Sequence, residues 1–198
     1  MRPKPAAGTE ERLLDCALTL FAKRGYAATS VREIIEAVGL AKPVLYYYCK
    51  NKADLFRRLI RHTHDAAETE LERQLAETRG TEEKLRAFIR GTFAFCLRDA
   101  RVPQLMFQTA YGPPVQEIAA ILAKVSVRRF EVVRTIMAVG LAARDLAPAD
   151  STVLALAFCA LVDHPANVLS RRRDAAAHLT PALADALLAV FLHGTARR

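Results

Sequence analysis

The chain has no tryptophan, only eight glycines and nine prolines in 198 residues, and four cysteines. With 52% hydrophobic and 25% charged residues, that scarcity of glycine and proline excludes disordered and collagen-like chains. Cys16, Cys49, Cys96 and Cys159 form no C-x-x-C pair and have no histidine at finger spacing, so neither a zinc site nor a disulfide framework is written. Reduced thiols, and no metal or cofactor, are the expectation. Crossing a bilayer takes roughly 20 predominantly apolar residues. The apolar, uncharged stretch Ser151 to Val162 stops at Asp163. After Met1-Arg2-Pro3-Lys4-Pro5 there is no secretory apolar region, because Glu10, Glu11 and Arg12 come instead. A soluble, cytoplasmic protein without a membrane partner is expected. Enzyme signatures are missing too. His62, His64, His164, His178 and His193 build no H-E-x-x-H, and there is no G-x-S-x-G and no phosphate-binding glycine loop, so no catalytic residues are assigned.

What is present is positive charge, unevenly placed. The formal net charge is +8. Eleven basic against six acidic residues through position 60 leave +5 there and +3 for the rest. A basic N-terminal third suits a polyanion such as nucleic acid, although a merely solvated basic face has the same balance.

Apolar residues recur with helical period nearly throughout, and the reading is all-α with about nine helices. Leu13, Leu14, Ala17, Leu20 and Phe21 make one face of a first helix, with Thr9 as N-cap and Gly25 as its end. Ser30-Val31-Arg32-Glu33 has the form of a capping box opening a short helix that stops at Gly39. Ala41 to Cys49 follows with Pro43 in its first turn, and Asn51 caps a long helix to about Arg79. Further helices are expected from Thr81, from Val102 to Tyr111, from Val115 to about Leu146 with a bend at Gly140, from Asp150 to about Arg172, and from Thr180-Pro181 to His193. Arg171, Arg172 and Arg173 complement the dipole at a helix end. The domain boundary is placed inside the long helix, giving residues 1–55 and 56–198.

Residues 30–49 carry the chemistry. Two short helices meet at Gly39, with Val31, Ile34, Val38, Leu40 and Leu45 as their apolar set, which is helix-turn-helix spacing. The second helix offers Lys42, Pro43, Val44, Tyr46, Tyr47 and Tyr48, a cation, methyl groups and phenols able to reach phosphates and base edges. A two-helix corner inside a bundle shows the same periodicity, but three consecutive tyrosines cannot all be core.

The run from Thr9 to Ile60, above all LFAKRGYAATSVREIIEAVGLAKPVLYYYCKNKADLF, resembles the DNA-binding domain of the TetR family of bacterial transcriptional regulators. The resemblance rests on Phe21, Gly25-Tyr26, Thr29-Ser30-Val31, Gly39, Leu45-Tyr46 and Lys52, and covers the first third of the chain. It implies an N-terminal three-helix reader and a larger C-terminal helical domain for ligand binding and dimerisation. It further implies that Ser30 and Arg32 touch the DNA backbone or nearby bases, that Lys42, Pro43 and Val44 face base edges, that Tyr47 and Tyr48 meet phosphates or bases, and that Lys52 sits on a phosphate. Tyr46 is left between a DNA contact and packing under the motif. Two departures are Ile35, where the family is usually small, and Cys49, where Phe is usual.

A single small reader makes few base contacts, so two copies about 34 Å apart on a palindromic double-stranded operator are expected, and hence a homodimer. Leu154, Ala157, Phe158 and Leu161 on one helix and Leu183, Leu187, Leu188 and Phe191 on the last are the interface candidates, with a monomer core helix as the alternative. The resemblance also implies release from DNA by a small-molecule effector. Phe93, Cys96, Met106, Phe107, Tyr111, Phe130, Met137 and Phe158 are candidate lining residues, with Asp163, His164 and Asn167 as polar anchors, although plain packing explains an aromatic and Met set equally well. Pro165, next to Asp163-His164, is expected to kink its helix and marks that segment for ligand or interface chemistry. A small-molecule carrier or sensor without operator binding is the competing reading.

Overall fold

The computed structural model describes residues 8–194, the side chains of Ala66 and Ala110 excepted. The protein is all-α. The order is α1 (Thr9–Arg24), α2 (Val31–Val38), α3 (Lys42–Tyr48), α4 (Lys52–Glu77), α5 (Thr81–Arg98), α6 (Arg101–Tyr111), α7 (Gln116–Ala142), α8 (Ser151–Ser170), α9 (Ala175–His178) and α10 (Pro181–His193). The one-turn α9 makes ten among the described residues where nine are expected.

The caps follow sequence chemistry with one correction. In α2 the Ser30 hydroxyl accepts from the Glu33 amide at 3.2 Å and the Glu33 carboxylate accepts from the Ser30 amide at 2.7 Å, so both halves of the capping box form. Asn51, Asp150 and Thr180 cap α4, α8 and α10 through their side chains. Thr9 is not a cap. Gly8, left-handed at φ 78°, holds that position, and Thr9 is the buried first residue of α1. Thr81 opens α5 as expected, with Gly80 in the cap position, and its hydroxyl donates to Asp145 Oδ2 at 2.7 Å. That contact explains Gly140. A Cβ there would stand 2.6 Å from Thr81 Cγ2, so the glycine permits close approach of α5 to α7.

Two apolar clusters form the interior. The first joins α1 to α4 through Leu13, Phe21, Tyr26, Ile34, Leu45, Leu55 and Phe56, and draws in Val102 and Leu105 of α6 and Ile118 of α7. Phe21, Tyr26 and Phe56 pack with ring centroids 5.3–5.7 Å apart. The second holds Leu85, Phe88, Ile89, Met137, Phe158, Val162 and Leu188. The 55/56 boundary thus lies within the continuous α4, and the N-terminal unit shares its core with α6 and α7. Polar ties reinforce that seat: Arg101 donates to Asp15 and Thr19 at 2.7 Å, and Tyr26 Oη donates to Glu117 Oε2 at 2.8 Å.

By length and composition α8 is apolar enough to cross a membrane, with mean hydropathy 1.5 despite Asp163. Ala155, Phe158, Val162 and Ala166 bury one face of it. Pro165 lies inside α8, which runs on as one element to Ser170.

Candidate nucleic-acid interface and ligand cavity

The reader is built from the Leu45 anchor outward. Gly39 turns α2 into α3 with φ 73°, a left-handed conformation that costs glycine little. Pro43 sits in the first turn of α3, where a missing amide hydrogen goes unused. Leu45 is wholly buried, and this sets the rotation of the helix. Lys42, Pro43, Tyr46 and Tyr47 consequently face solvent, with Tyr46 46% and Tyr47 49% exposed, while Val44 is half-buried.

The tyrosines divide differently from the resemblance. Tyr46 is free of the core, whereas Tyr48 is half-buried against the first cluster and meets Tyr47 edge-on at 5.2 Å. At the start of α2, Ser30 and Arg32 are exposed. The Ser30 hydroxyl spends an oxygen lone pair on its cap and keeps its hydrogen to donate. Arg32 pairs with Glu36 at 2.7 Å, an exposed ion pair that a phosphate can displace.

Lys52 is placed otherwise than expected. Its ammonium donates to the carbonyls of Tyr26 and Thr29 at 3.0 and 3.1 Å and lies 4.3 Å from the Tyr26 ring centroid. Two of its three hydrogens therefore hold the α1–α2 loop to the start of α4. Ile35 and Cys49 are both buried in the first cluster, and burial pushes the Cys49 thiol up to about 11.

A cavity of about 340 Å³ opens between α4, α5, α6, α7 and α8. Of the expected lining residues it brings together Cys96, Met106, Phe107, Tyr111, Phe130, Asp163 and Asn167. Phe93, Met137 and Phe158 do not line it, being buried in the second cluster. His164 does not either. One helical step, about 100°, turns it from Asp163 to the exposed side of α8.

Beyond Asp163 and Asn167, the polar part of the cavity was hidden from sequence reasoning. Arg129 donates to Asp163 at 2.6 Å and to Thr92 Oγ1 at 3.0 Å, and lies 4.6 Å from the Phe88 ring centroid. Burial pushes the Asp163 carboxyl up, with Arg129 opposing. Arg128 reaches Glu68 at 2.8 Å and Glu72 at 2.7 Å. His64 is buried, with Nδ1 3.1 Å from the Ile60 carbonyl, and burial lowers its pKa. Glu68 and Glu72, one turn apart, were the available signal, but their cationic partner lies more than fifty residues on. Burial raises the Cys96 and Cys159 thiols to about 11, so neither is a ready nucleophile.

Away from the cavity, α8 and α10 expose a second apolar surface. Val153, Leu156, Ala157, Ala160 and Val168 form one stripe on α8, with Leu156 58% exposed. Ala186, Ala189 and Val190 are exposed on α10. Of the expected interface residues, Ala157 belongs to this surface, and Leu154, Leu161, Leu183, Leu187 and Phe191 are half-buried beside it. Phe158 and Leu188 are corrections: both are buried in the subunit's own core, because they point opposite the stripe.

Residues 13–59 match the family described as bacterial regulatory proteins, tetR family. Over 110 residues the chain is 29% identical to the HTH-type transcriptional activator FasR of Mycolicibacterium smegmatis, covering 56% of this chain and 50% of that protein. The chain therefore spans about half the length of that curated relative. The fold is similar to FadR of Bacillus subtilis, solved with stearoyl-CoA, at TM-score 0.80 and 20% identity over 94% of this chain and 99% of that one. It is also similar to AibR, solved with isovaleryl coenzyme A and operator DNA, at TM-score 0.73 and 21% identity over 93% and 98%. The three helices of the reader thus match the tetR family of bacterial regulatory proteins, and the whole-chain fold is similar to those of FadR and AibR.

Proposed function

We propose that the protein is a DNA-binding transcriptional regulator that grips a palindromic operator as a homodimer and is released from it by a small molecule held in the C-terminal cavity. The observation that carries this reading is the outward face of α3, where Lys42, Pro43, Tyr46 and Tyr47 stand in solvent on a helix locked by Leu45. A short helix with its apolar anchor beneath and donors above suits insertion into a major groove. Ser30 and Arg32 at the start of α2 are placed beside it for backbone contacts.

The α8 and α10 stripes support the dimer. Their exposed side chains lie on adjoining helices, and a second copy related by two-fold symmetry buries both stripes in a four-helix bundle. The cavity supports the release step, because α6 contributes Met106 and Phe107 to its wall while Val102 and Leu105 of the same helix belong to the reader's core. A ligand that shifts α6 therefore biases where the reader sits.

Selection of bound fragments from random duplex DNA, followed by titration at several salt concentrations, tests the reading. Expected is a palindromic consensus bound with a steep inverse salt dependence. Absence of duplex binding at low ionic strength from material that still binds a small molecule would leave a carrier or sensor in its place.

A further inference from the structure

Major-groove readout takes donors for guanine O6 and N7, acceptors for the amines of cytosine and adenine, and apolar surface for the C5 methyl of thymine. The seven residues of α3, Lys42 to Tyr48, hold one cation and no arginine, carboxylate or amide side chain. The carboxylates of α2 are already engaged. Glu33 takes the Ser30 amide and the Arg24 guanidinium at 2.7 Å each, and Glu36 takes Arg32 at 2.7 Å. An adenine or cytosine amine facing α3 therefore meets no acceptor except a tyrosine hydroxyl, and a guanine meets Lys42 as the one charged donor of that helix.

What α3 does present is apolar and stiff. Pro43 and Tyr47, one turn apart, share a face on the side away from the buried Leu45, and both are exposed. The pyrrolidine ring has no rotamers to lose, and the Tyr47 ring is braced edge-on at 5.2 Å by Tyr48, itself packed against the first cluster. Contact with a methyl group therefore costs little ordering. Lys42 and Tyr46 make the neighbouring stripe, with the ammonium at its start.

We propose that α3 recognises thymine by its C5 methyl group, packed against Pro43 and Tyr47, and that a guanine acceptor at Lys42 is the one base read by a charged hydrogen bond. The preferred operator half-site then carries thymine and guanine where α3 meets the groove. 5-Methylcytosine holds its methyl at the same place in the groove and substitutes for that thymine. The inference rests on the regulator reading above and assigns the chemistry by which the reader tells one duplex from another.

Duplexes built on the consensus selected from random DNA test this by fluorescence anisotropy with the full chain. Each thymine of the consensus is exchanged in turn, in both half-sites, for uracil, cytosine or 5-methylcytosine, the last two paired with guanine. These analogues alter no protein residue, so folding does not enter the comparison. Burying one methyl is worth about fourfold, so at the contacted thymine uracil in both half-sites weakens binding about fifteenfold. There the 5-methylcytosine duplex binds about fifteenfold tighter than the cytosine duplex, from which it differs by the methyl groups alone. Tyr47→Phe keeps this methyl dependence, whereas the Pro43→Ser, Tyr47→Ala double variant loses it, with circular dichroism as the check on its fold. 7-Deazaguanine lacks the N7 acceptor and weakens the parent by about tenfold, but leaves Lys42→Met unaffected. Equal binding of thymine and uracil at every position of the half-site overturns the proposal, as does equal binding of cytosine and 5-methylcytosine. A Lys42→Met salt slope lower by about 0.9, with sensitivity to 7-deazaguanine retained, puts Lys42 on a phosphate and overturns its part. Absence of binding to any duplex overturns the regulator reading, and this proposal with it.

Discussion

Replacing Lys52 with methionine separates two accounts of the same residue. Methionine keeps most of the stem and removes the ammonium, so the carbonyls of Tyr26 and Thr29 lose donors at 3.0 and 3.1 Å and the Tyr26 ring loses its cation at 4.3 Å. Each hydrogen bond from a charged donor is worth about 1.5–3 kcal/mol where shielded, and partial exposure brings the pair to about 2–3 kcal/mol in total. For a chain of this size that is a fall in Tm of about 5–10 °C, measured by differential scanning calorimetry. Had Lys52 sat on a phosphate, the variant would instead keep its Tm and lower the slope of log affinity against log salt by about 0.9. The structure calls for the reverse: a lower Tm with an unchanged slope, once binding is measured well below the transition. An unaltered Tm together with a reduced slope would refute the strut and restore the phosphate contact.

Tyr47→Ala, at an exposed position of α3, leaves Tm nearly unchanged and weakens operator binding, read by anisotropy on the selected duplex, by about 1–3 kcal/mol if its ring or hydroxyl meets a base. Leu156→Asp places a charge in the middle of the α8 stripe, so sedimentation velocity is expected to show a monomer while the helical circular dichroism spectrum persists. Phe158→Ala, in contrast, removes a wholly buried ring from the subunit core and costs about 3–5 kcal/mol of stability in urea unfolding. His64 is held neutral by burial, so its folded pKa lies below the unfolded value of about 6.5, and the unfolded chain binds the extra proton first. Stability is therefore present above that value and declines as pH falls below it. His64→Leu should flatten this part of the pH profile, and a parallel decline in both proteins would show that other groups cause it.

The local structure was legible because local chemistry decides it. Ser30 and Glu33 satisfy each other's amides within one turn, Asn51, Asp150 and Thr180 each reach an amide two or three residues on, and Gly39 supplies a conformation few other residues tolerate. The all-α reading and the helix-turn-helix at residues 30–49 followed from such signals and from the 3.6-residue period of Leu13, Leu14, Ala17 and Phe21. Sequence also marked α3 as more than core, since three tyrosines in a row cannot share one buried face. It could not say which of them turns inward. That depended on where Leu45 is anchored in a core assembled from α1, α2 and α4, and the result placed Tyr48 inward and Tyr46 outward.

Tertiary structure alone decided the partners of charged side chains. Lys52 looked like a free cation until the Tyr26–Thr29 loop folded over it. Arg128 meets Glu68 and Glu72 across more than fifty residues, and Arg129 meets Asp163 across 34. Helical period tells which residues share a face, not which other helix that face will meet. For the same reason Asp163 and His164, adjacent in the chain, part company, one turned to the cavity and the other to the exposed stripe of α8. Composition and spacing determined the helices and their caps, because those interactions close within a turn or two. The cavity, its cross-helix ion pairs and the exposed seam of α8 and α10 exist only once distant helices have packed, since each is a property of the space between elements.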